Sequence, residues 1–114
     1  MKLQSQLRGD AVHVVVDEER IDSAVAIRFK EAVREQAADG PARVVLDLRN
    51  VEFLDSSGLG AVVAVMKLIG AGRQLELCNL TPNVDKVFRL TRMDRVFTIH
   101  DTYESAFPER QTIA

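Results

Sequence analysis

The sequence predicts an α/β domain in which helices pack against a mostly parallel or mixed sheet. Two observations carry this prediction: short apolar segments alternate with amphipathic segments of helical length from Val12 onward, and no linker or repeat divides the 114 residues. We expect about four or five strands and about four helices. Residues 1–114 form one domain in this interpretation, with a core over about 11–107 and a tail at 108–114.

Five segments have the length and apolar content of strands. Leu3–Arg8 and Ala11–Val16 flank a Gly-Asp turn and predict a hairpin, whose polar first strand suits a sheet edge. Val44–Leu48 predicts a buried central strand, and Leu75–Leu80 and Val96–Ile99 predict two more.

Helical periodicity marks the segments between the strands. The first helix is predicted from about Ala24 to Ala38, with Asp22 or Ser23 as its cap and a stop at residues 39–41. The second follows the Ser-Ser-Gly turn and ends at residues 70–72; its predicted apolar face consists of Leu59, Val62, Val63, Met66 and Ile69. The third begins at Thr81-Pro82. A short last helix is predicted to start at Asp101 or Thr102 and to carry Tyr103, Ala106 and Phe107.

Composition narrows the range of partners and compartments. The 17 acidic and 15 basic residues give a net charge of −2, and the basic residues are scattered, which argues against a nucleic-acid partner. Cys78 is alone, so a reducing compartment is expected. The N-terminus lacks the apolar region of a signal peptide, and no apolar run approaches the roughly 20 residues of a membrane span. We therefore expect a cytoplasmic protein without a membrane partner.

The sequence does not complete any of three common motifs of enzymes and nucleotide-binding proteins. Ser56 has Gly58 two residues after it but Leu54 two residues before, so the hydrolase motif Gly-x-Ser-x-Gly is incomplete. The dinucleotide motif fails because its third glycine is replaced by Val63, and no Gly-Lys-Ser or Gly-Lys-Thr is present for a phosphate loop. No catalytic residue and no cofactor are expected.

Metal binding is not expected from residue spacing either. His13 lies in a strand pattern, His100 at a strand end, and Cys78 within an apolar strand, with no second ligand at a typical spacing beside any of them. We interpret the histidines as structural or surface residues and Cys78 as a small buried side chain.

A phosphoaspartate receiver domain is the strongest alternative of another class. The acidic residues 17–19 and Asp47 at the end of a buried strand resemble its acidic, magnesium-binding pocket. However, Asp47 is followed by Leu-Arg-Asn rather than a Met-Pro turn, and the last strand lacks the expected lysine. Strand alternation places Asp47 opposite to Leu46 and Leu48, so we expect a solvated edge or a hydrogen bond to a neighbouring loop.

The stretch Asp55-Ser56-Ser57-Gly58-Leu59-Gly60 carries the functional prediction. It joins an apolar patch at residues 51–54 to an amphipathic helix, so two hydroxyls lie at a helix N-terminus, where the backbone N–H groups favour a phosphate. The simpler interpretation is a helix cap made by one of the hydroxyls.

The surrounding sequence resembles that of STAS-domain anti-sigma factor antagonists. The resemblance is carried by Val44–Gly60, by Arg20–Asp22, which looks like the family's Gly-Glu-Leu-Asp turn, and by Leu75–Val84 with Val87–Thr91. It extends from about Val12 to Phe107. The turn at residues 16–22 lacks the family's usual glycine and is more charged, which bears on the partner that it would recognise.

The resemblance implies a partner switch without catalysis. A GHKL-type serine kinase that is also the anti-sigma factor would bind the unphosphorylated protein, release the sigma factor, and phosphorylate Ser56; a PP2C-type phosphatase would reverse the modification. Ser57 is at a position that relatives fill with Ser or Thr. The implied contact residues are Asp22, Asp55, Ser57, Gly58 and Leu59, and the free protein is expected to be a monomer. A STAS scaffold or transport-complex subunit that needs no phosphate is the alternative within the family.

Overall fold

A five-stranded mixed sheet organises the chain, and the computed structural model describes residues 1–70 and 72–107 of it. The strands of this sheet are β1 (Leu3–Arg8), β2 (Ala11–Val16), β4 (Arg43–Asp47), β6 (Gln74–Cys78) and β7 (Thr98–His100). Their order is β1-β2-β4-β6-β7, with β1 antiparallel to β2 and the other neighbours parallel. A second sheet consists of the parallel pair β3 (Arg20–Ile21) and β5 (Phe53–Leu54).

The predicted strands are confirmed with small shifts of their ends. The β1–β2 hairpin has the predicted bounds, and Gly9 supplies the positive φ of 57° that its tight turn needs. The central strand begins at Arg43 rather than Val44, and β6 ends at Cys78 rather than Leu80. The last strand covers Thr98–His100 rather than Val96–Ile99. The sequence prediction missed β3 and β5, because strands of two residues have no measurable alternation.

The described residues contain three α-helices and two short 3-10 turns. The helices are α1 (Ala26–Ala37), α2 (Ser56–Leu68) and α3 (Pro82–Leu90), and the 3-10 turns cover Met93–Arg95 and Glu104–Ala106. The predicted short last helix is a 3-10 turn that begins at Glu104 rather than at Asp101 or Thr102: the hydroxyls and backbone of Thr102 and Ser105 bond to each other and close this tighter turn. The predicted tail at 108–114 and Ala71 lie outside the described residues.

The predicted helix starts need two corrections. Asp22 and Ser23 do not cap α1, which follows Val25 without a side-chain cap; Asp22 Oδ1 instead accepts a bond from the backbone N–H of Ala24 at 3.1 Å. Thr81 and Pro82 do begin α3, as predicted, but the Thr81 hydroxyl donates to the Val51 carbonyl at 2.6 Å rather than capping the helix. The side chains of Asp22 and Thr81 therefore form hydrogen bonds within a turn or to a loop instead of capping a helix.

The helices cover one face of the five-stranded sheet and make the main core. Alternate residues of β2, β4 and β6 pack there against α1, α2 and α3, and the fully buried Phe29 and Phe88 fill most of the space from the helix side. Burying a side chain of this size stabilises the fold by about 2–3 kcal/mol. In α2 the fully or nearly fully buried positions include Ala61, Val62 and Val65, while Leu59, Val63 and Met66 are only partly buried.

The opposite face of the sheet combines a small apolar cluster with buried polar groups. Ala11, Val45 and Cys78 pack under Ala106 and Phe107. The described helices include none that is long and apolar enough to cross a membrane, and α2, with 13 residues, is the longest of them.

Two buried carboxylates on this face are each hydrogen-bonded to an arginine and a histidine side chain. Burial alone would raise the pKa of Asp47, but hydrogen bonds from His13 and Arg49 outweigh it and hold that pKa well below its ordinary value. Glu76 follows the same rule: burial opposes ionisation, yet Arg43 and His100 keep its pKa lowered. Of the two sequence alternatives for Asp47, the hydrogen bond to a loop is confirmed and the solvated edge is wrong.

Candidate functional site

The N-terminus of α2 is built by Asp55, whose backbone is still extended and whose carboxylate caps the helix. Asp55 Oδ1 accepts a hydrogen bond from the Gly58 N–H at 2.9 Å. The helix cap is therefore the aspartate rather than either serine hydroxyl. Ser56 and Ser57 occupy the first two helical positions, and both are exposed. The two hydroxyls are thus accessible to another protein.

The β3–β5 pair brings a second acidic segment to the same place. Asp55 Oδ2 accepts a bond from the Ser23 N–H at 3.3 Å, and the Asp55 N–H donates to the Ile21 carbonyl at 3.4 Å. Asp22, next in the chain, is partly exposed and pairs with Arg20 at 3.3 Å. The predicted contact residues Asp22 and Asp55 therefore meet beside the two serines, although 33 residues separate them in the sequence.

Gly58 is required for the first turn of α2 to approach β3. A Cβ atom on Gly58 would lie 2.0 Å from the Ile21 carbonyl oxygen, a distance at which the backbone must move. Gly58 is also buried, so its position serves the packing of α2 on β3, and its role as a partner contact stays a prediction. Gly60 differs, because no heavy atom lies within 4 Å of the equivalent Cβ position.

Leu59 lies where it can pack in the core and also present part of its side chain at the surface. It is partly buried and packs against the main core, with a remaining accessible fraction at the helix start. A partner could therefore contact an edge of this side chain, while most of its packing partners belong to the domain itself.

A shallow groove between α1 and α2 extends the accessible surface from Ser57. It has a volume of about 190 Å³ and is lined by Ala26, Ile27, Lys30, Ser57, Gly60, Ala61 and Ala64. Ile27 is 73% exposed and adds a large apolar side chain to the small residues that line this groove. The sequence analysis missed Ile27, although its place one residue after Ala26, off the apolar face of α1, is a signal that could have found it.

An exposed aromatic residue lies on the other side of the site. Phe53 is 40% exposed, and the Arg20 guanidinium carbon lies 4.2 Å above the centre of its ring. Arg20 begins β3, in the charged turn at residues 16–22. This turn therefore places a cation beside Asp22 and against the aromatic ring of Phe53.

A known domain family matches most of the chain. The family model described as the STAS domain matches residues 2–106. The chain belongs to the STAS domain family. A STAS protein of Mycobacterium tuberculosis, the anti-sigma-F factor antagonist RsfB, is 31% identical over 86 residues, which cover 75% of this chain and 70% of RsfB.

Solved STAS structures share the fold of the whole domain. An anti-sigma factor antagonist from Mycobacterium paratuberculosis superposes with a TM-score of 0.82 at 26% identity, covering 95% of this chain and 92% of its own. The antagonist SpoIIAA in its unphosphorylated form gives 0.70 at 20% identity, covering 99% and 100%. A structure of SpoIIAA in the phosphorylated form gives 0.66 at 19% identity, covering 95% and 98%. These last two likenesses concern the fold.

Proposed function

We propose that this STAS domain is an anti-sigma factor antagonist that is switched by phosphorylation of Ser56. The observation that carries the proposal is the capping of α2 by Asp55, which leaves an exposed hydroxyl at the positive end of a helix. The relatives named as antagonists support the general role. The partner would be a GHKL-type serine kinase that is also the anti-sigma factor, and a PP2C-type phosphatase would restore the binding form. The domain would act in the cytoplasm as a monomer when free.

Charge supplies the switching mechanism. A phosphate on Ser56 adds about −1.5 to −2 charges beside the Asp55 and Asp22 carboxylates. The helix N-terminus offsets part of this repulsion within the domain, so the fold tolerates the modification. A partner packed over Asp22, Ser57 and the edge of Leu59 would instead meet both the added charge and the added bulk. A loss of about 3–4 kcal/mol would weaken binding several-hundredfold.

The test is phosphorylation by candidate GHKL kinases with ATP, followed by mass mapping and a binding measurement. We expect phosphate on Ser56, normal kinase binding by Ser56→Ala, and binding weakened at least about a hundredfold by Ser56→Asp. Ser57→Ala is the matched control for the acceptor assignment, because Ser57 is also exposed one residue away and its loss should leave the phosphate on Ser56. Phosphate confined to Ser57, or undiminished binding by Ser56→Asp, would overturn the assignment.

The receiver alternative makes a different chemical prediction. Asp47 is fully buried and its carboxylate is paired with Arg49 and His13, so a phosphoryl donor has no access to it. A phosphoserine at residue 56 survives acid and hydroxylamine, whereas an aspartyl phosphate is lost in both. A domain that takes no phosphate from any candidate kinase would favour the STAS scaffold or transport-complex subunit.

A further inference from the structure

Three neighbouring strands bring together three side chains of different ligand chemistry. Asp47 of β4 is the register partner of Cys78 in β6, and His13 of β2 pairs with Val45, one step back along the same face of the sheet. One ligand atom from each of the three side chains lies within 4.8 Å of the other two. All three residues are buried, on strands whose backbones hold one another in register.

The negative charge of the Asp47 carboxylate is balanced by Arg49, whose side chain reaches the surface. Asp47 Oδ2 lies 2.8 Å from His13 Nε2 and accepts further bonds from Arg49 and from Asn79 Nδ2 at 3.1 Å. The Arg49 side chain is 49% exposed and belongs to the loop that follows β4. Its guanidinium can therefore turn into solvent without exposing the sheet, provided that another cation takes its place beside Asp47.

We propose that His13, Asp47 and Cys78 form a zinc site in which the metal ion replaces the Arg49 guanidinium as the counter-charge. Imidazole nitrogen, carboxylate oxygen and thiolate sulfur are the ligands that Zn²⁺ takes in proteins, and three protein ligands leave the fourth position to water. On binding, Cys78 releases its thiol proton to solvent and binds as the thiolate, and His13 binds through the lone pair of a ring nitrogen. Zn²⁺ with one carboxylate and one thiolate then carries no net charge.

A cavity beside the cluster provides access for the ion. It has a volume of about 200 Å³ and is lined by Gln4, Ser5, Gln6, His13, Val15 and Arg49. His13 and Arg49 are the lining residues that contact Asp47. Room for a water ligand is available on this side once Arg49 has moved.

A second cluster on the same face supplies a matched control. His100 Nε2 lies 2.8 Å from Glu76 Oε1, and Arg43 binds both oxygens of Glu76 at 2.8 Å. This pair also combines a histidine with a carboxylate, but it has no thiol ligand, because Cys78 is the one cysteine of the chain. Loss of His100 should therefore leave zinc binding unchanged.

The experiment uses the full chain without a histidine tag, stripped with a chelator and titrated with Co²⁺ and then Zn²⁺. We expect one ion per chain and a thiolate-to-cobalt absorption band in the near ultraviolet that Zn²⁺ abolishes. Cys78→Ser should remove the band, and His13→Gln should weaken zinc binding at least about tenfold. Arg49→Gln should strengthen zinc binding, because it removes the competing cation, and His100→Gln should have no effect.

Two results would overturn the proposal. The first is the absence of stoichiometric binding at micromolar metal in both the native chain and Arg49→Gln, which keeps all three ligands and changes only an exposed side chain. The second is binding that Cys78→Ser and His13→Gln leave equally tight, which would mark an adventitious ion. Neither Ser56 nor a partner takes part, so the outcome is independent of the proposed function.

Discussion

At the scale of single residues, the start of α2 depends on two neighbours with separate tasks. Asp55 satisfies the free N–H of Gly58, and Gly58 allows the helix to lie against the Ile21 carbonyl. Neither task involves the Ser56 hydroxyl. The exposed hydroxyls of the site are therefore separate from the two residues that set its geometry.

Gly58→Ala should destabilise the domain, because the new Cβ would meet the Ile21 carbonyl at 2.0 Å and push the helix away from β3. Overpacking of this kind costs about 1–3 kcal/mol or more, measured as the change in the free energy of unfolding in urea. Gly60→Ala is the control. It meets no heavy atom within 4 Å in the same helix and should stabilise the fold by about 0.5–1 kcal/mol. Equal effects of the two substitutions would contradict the close approach of α2 to β3.

At the scale of elements, one arginine closes the ends of two helices. Arg73 Nη2 donates to the Ala37 carbonyl at 2.7 Å and to the Pro41 carbonyl at 2.8 Å, and Nη1 reaches the Ile69 carbonyl at 3.4 Å. Carbonyls at helix C-termini lack partners within the helix, and a cation there is favoured by the helix dipole. The turn after α2 is thus tied to the turn after α1.

Arg73→Met should expose this dependence, since it keeps an unbranched apolar side chain and removes every donor. The expected cost is about 1.5–3 kcal/mol in the free energy of unfolding, as for hydrogen bonds from a charged group. Hydrogen exchange should rise at the C-terminal ends of α1 and α2. Arg34→Met is the control, because its surface pair with Glu31 is half-exposed on both sides, and we expect no measurable change.

The elements also show how far the sequence alone could lead. The hairpin and the parallel strands β4 and β6 were predictable because their alternation or apolar content extends over five or six residues. The pair β3–β5 was not, since it has two residues in each strand and depends on tertiary pairing. The cap of α2 was assigned to a serine hydroxyl because serine and aspartate are comparable caps. The meeting of His13, Asp47 and Cys78 required the strand register, which spacing along the chain does not contain.

At the scale of the whole molecule, the sheet has two unlike faces. Three helices seal one face with apolar side chains, while the other is covered by residues 103–107 and by ion pairs. Phe107 is nearly fully buried there, and the guanidinium of Arg43 lies 5.3 Å from the centre of its ring. A short segment after the last strand therefore protects the buried charges from water.

Phe107→Ala should weaken the entire fold rather than one end of it. Deleting a buried phenylalanine costs about 3–5 kcal/mol, and here it would also admit water to the Arg43–Glu76 pair. Thermal and urea unfolding would measure the loss, which should be cooperative. Leu90→Ala serves for comparison, because that leucine is 75% exposed and should contribute little. A Phe107→Ala protein as stable as the native chain would show that the second face needs no cover.

The aspartate cap of α2 also bears on how such a domain can evolve. Because the helix begins on Asp55, residue 56 can change without loss of the helix start. Under the proposed switch, a lineage that lost the hydroxyl would keep a folded protein and be left with a permanently active binder, and a lineage that exchanged serine for threonine would keep a reversible one. Regulation and folding can thus be selected separately at adjacent positions of the same turn.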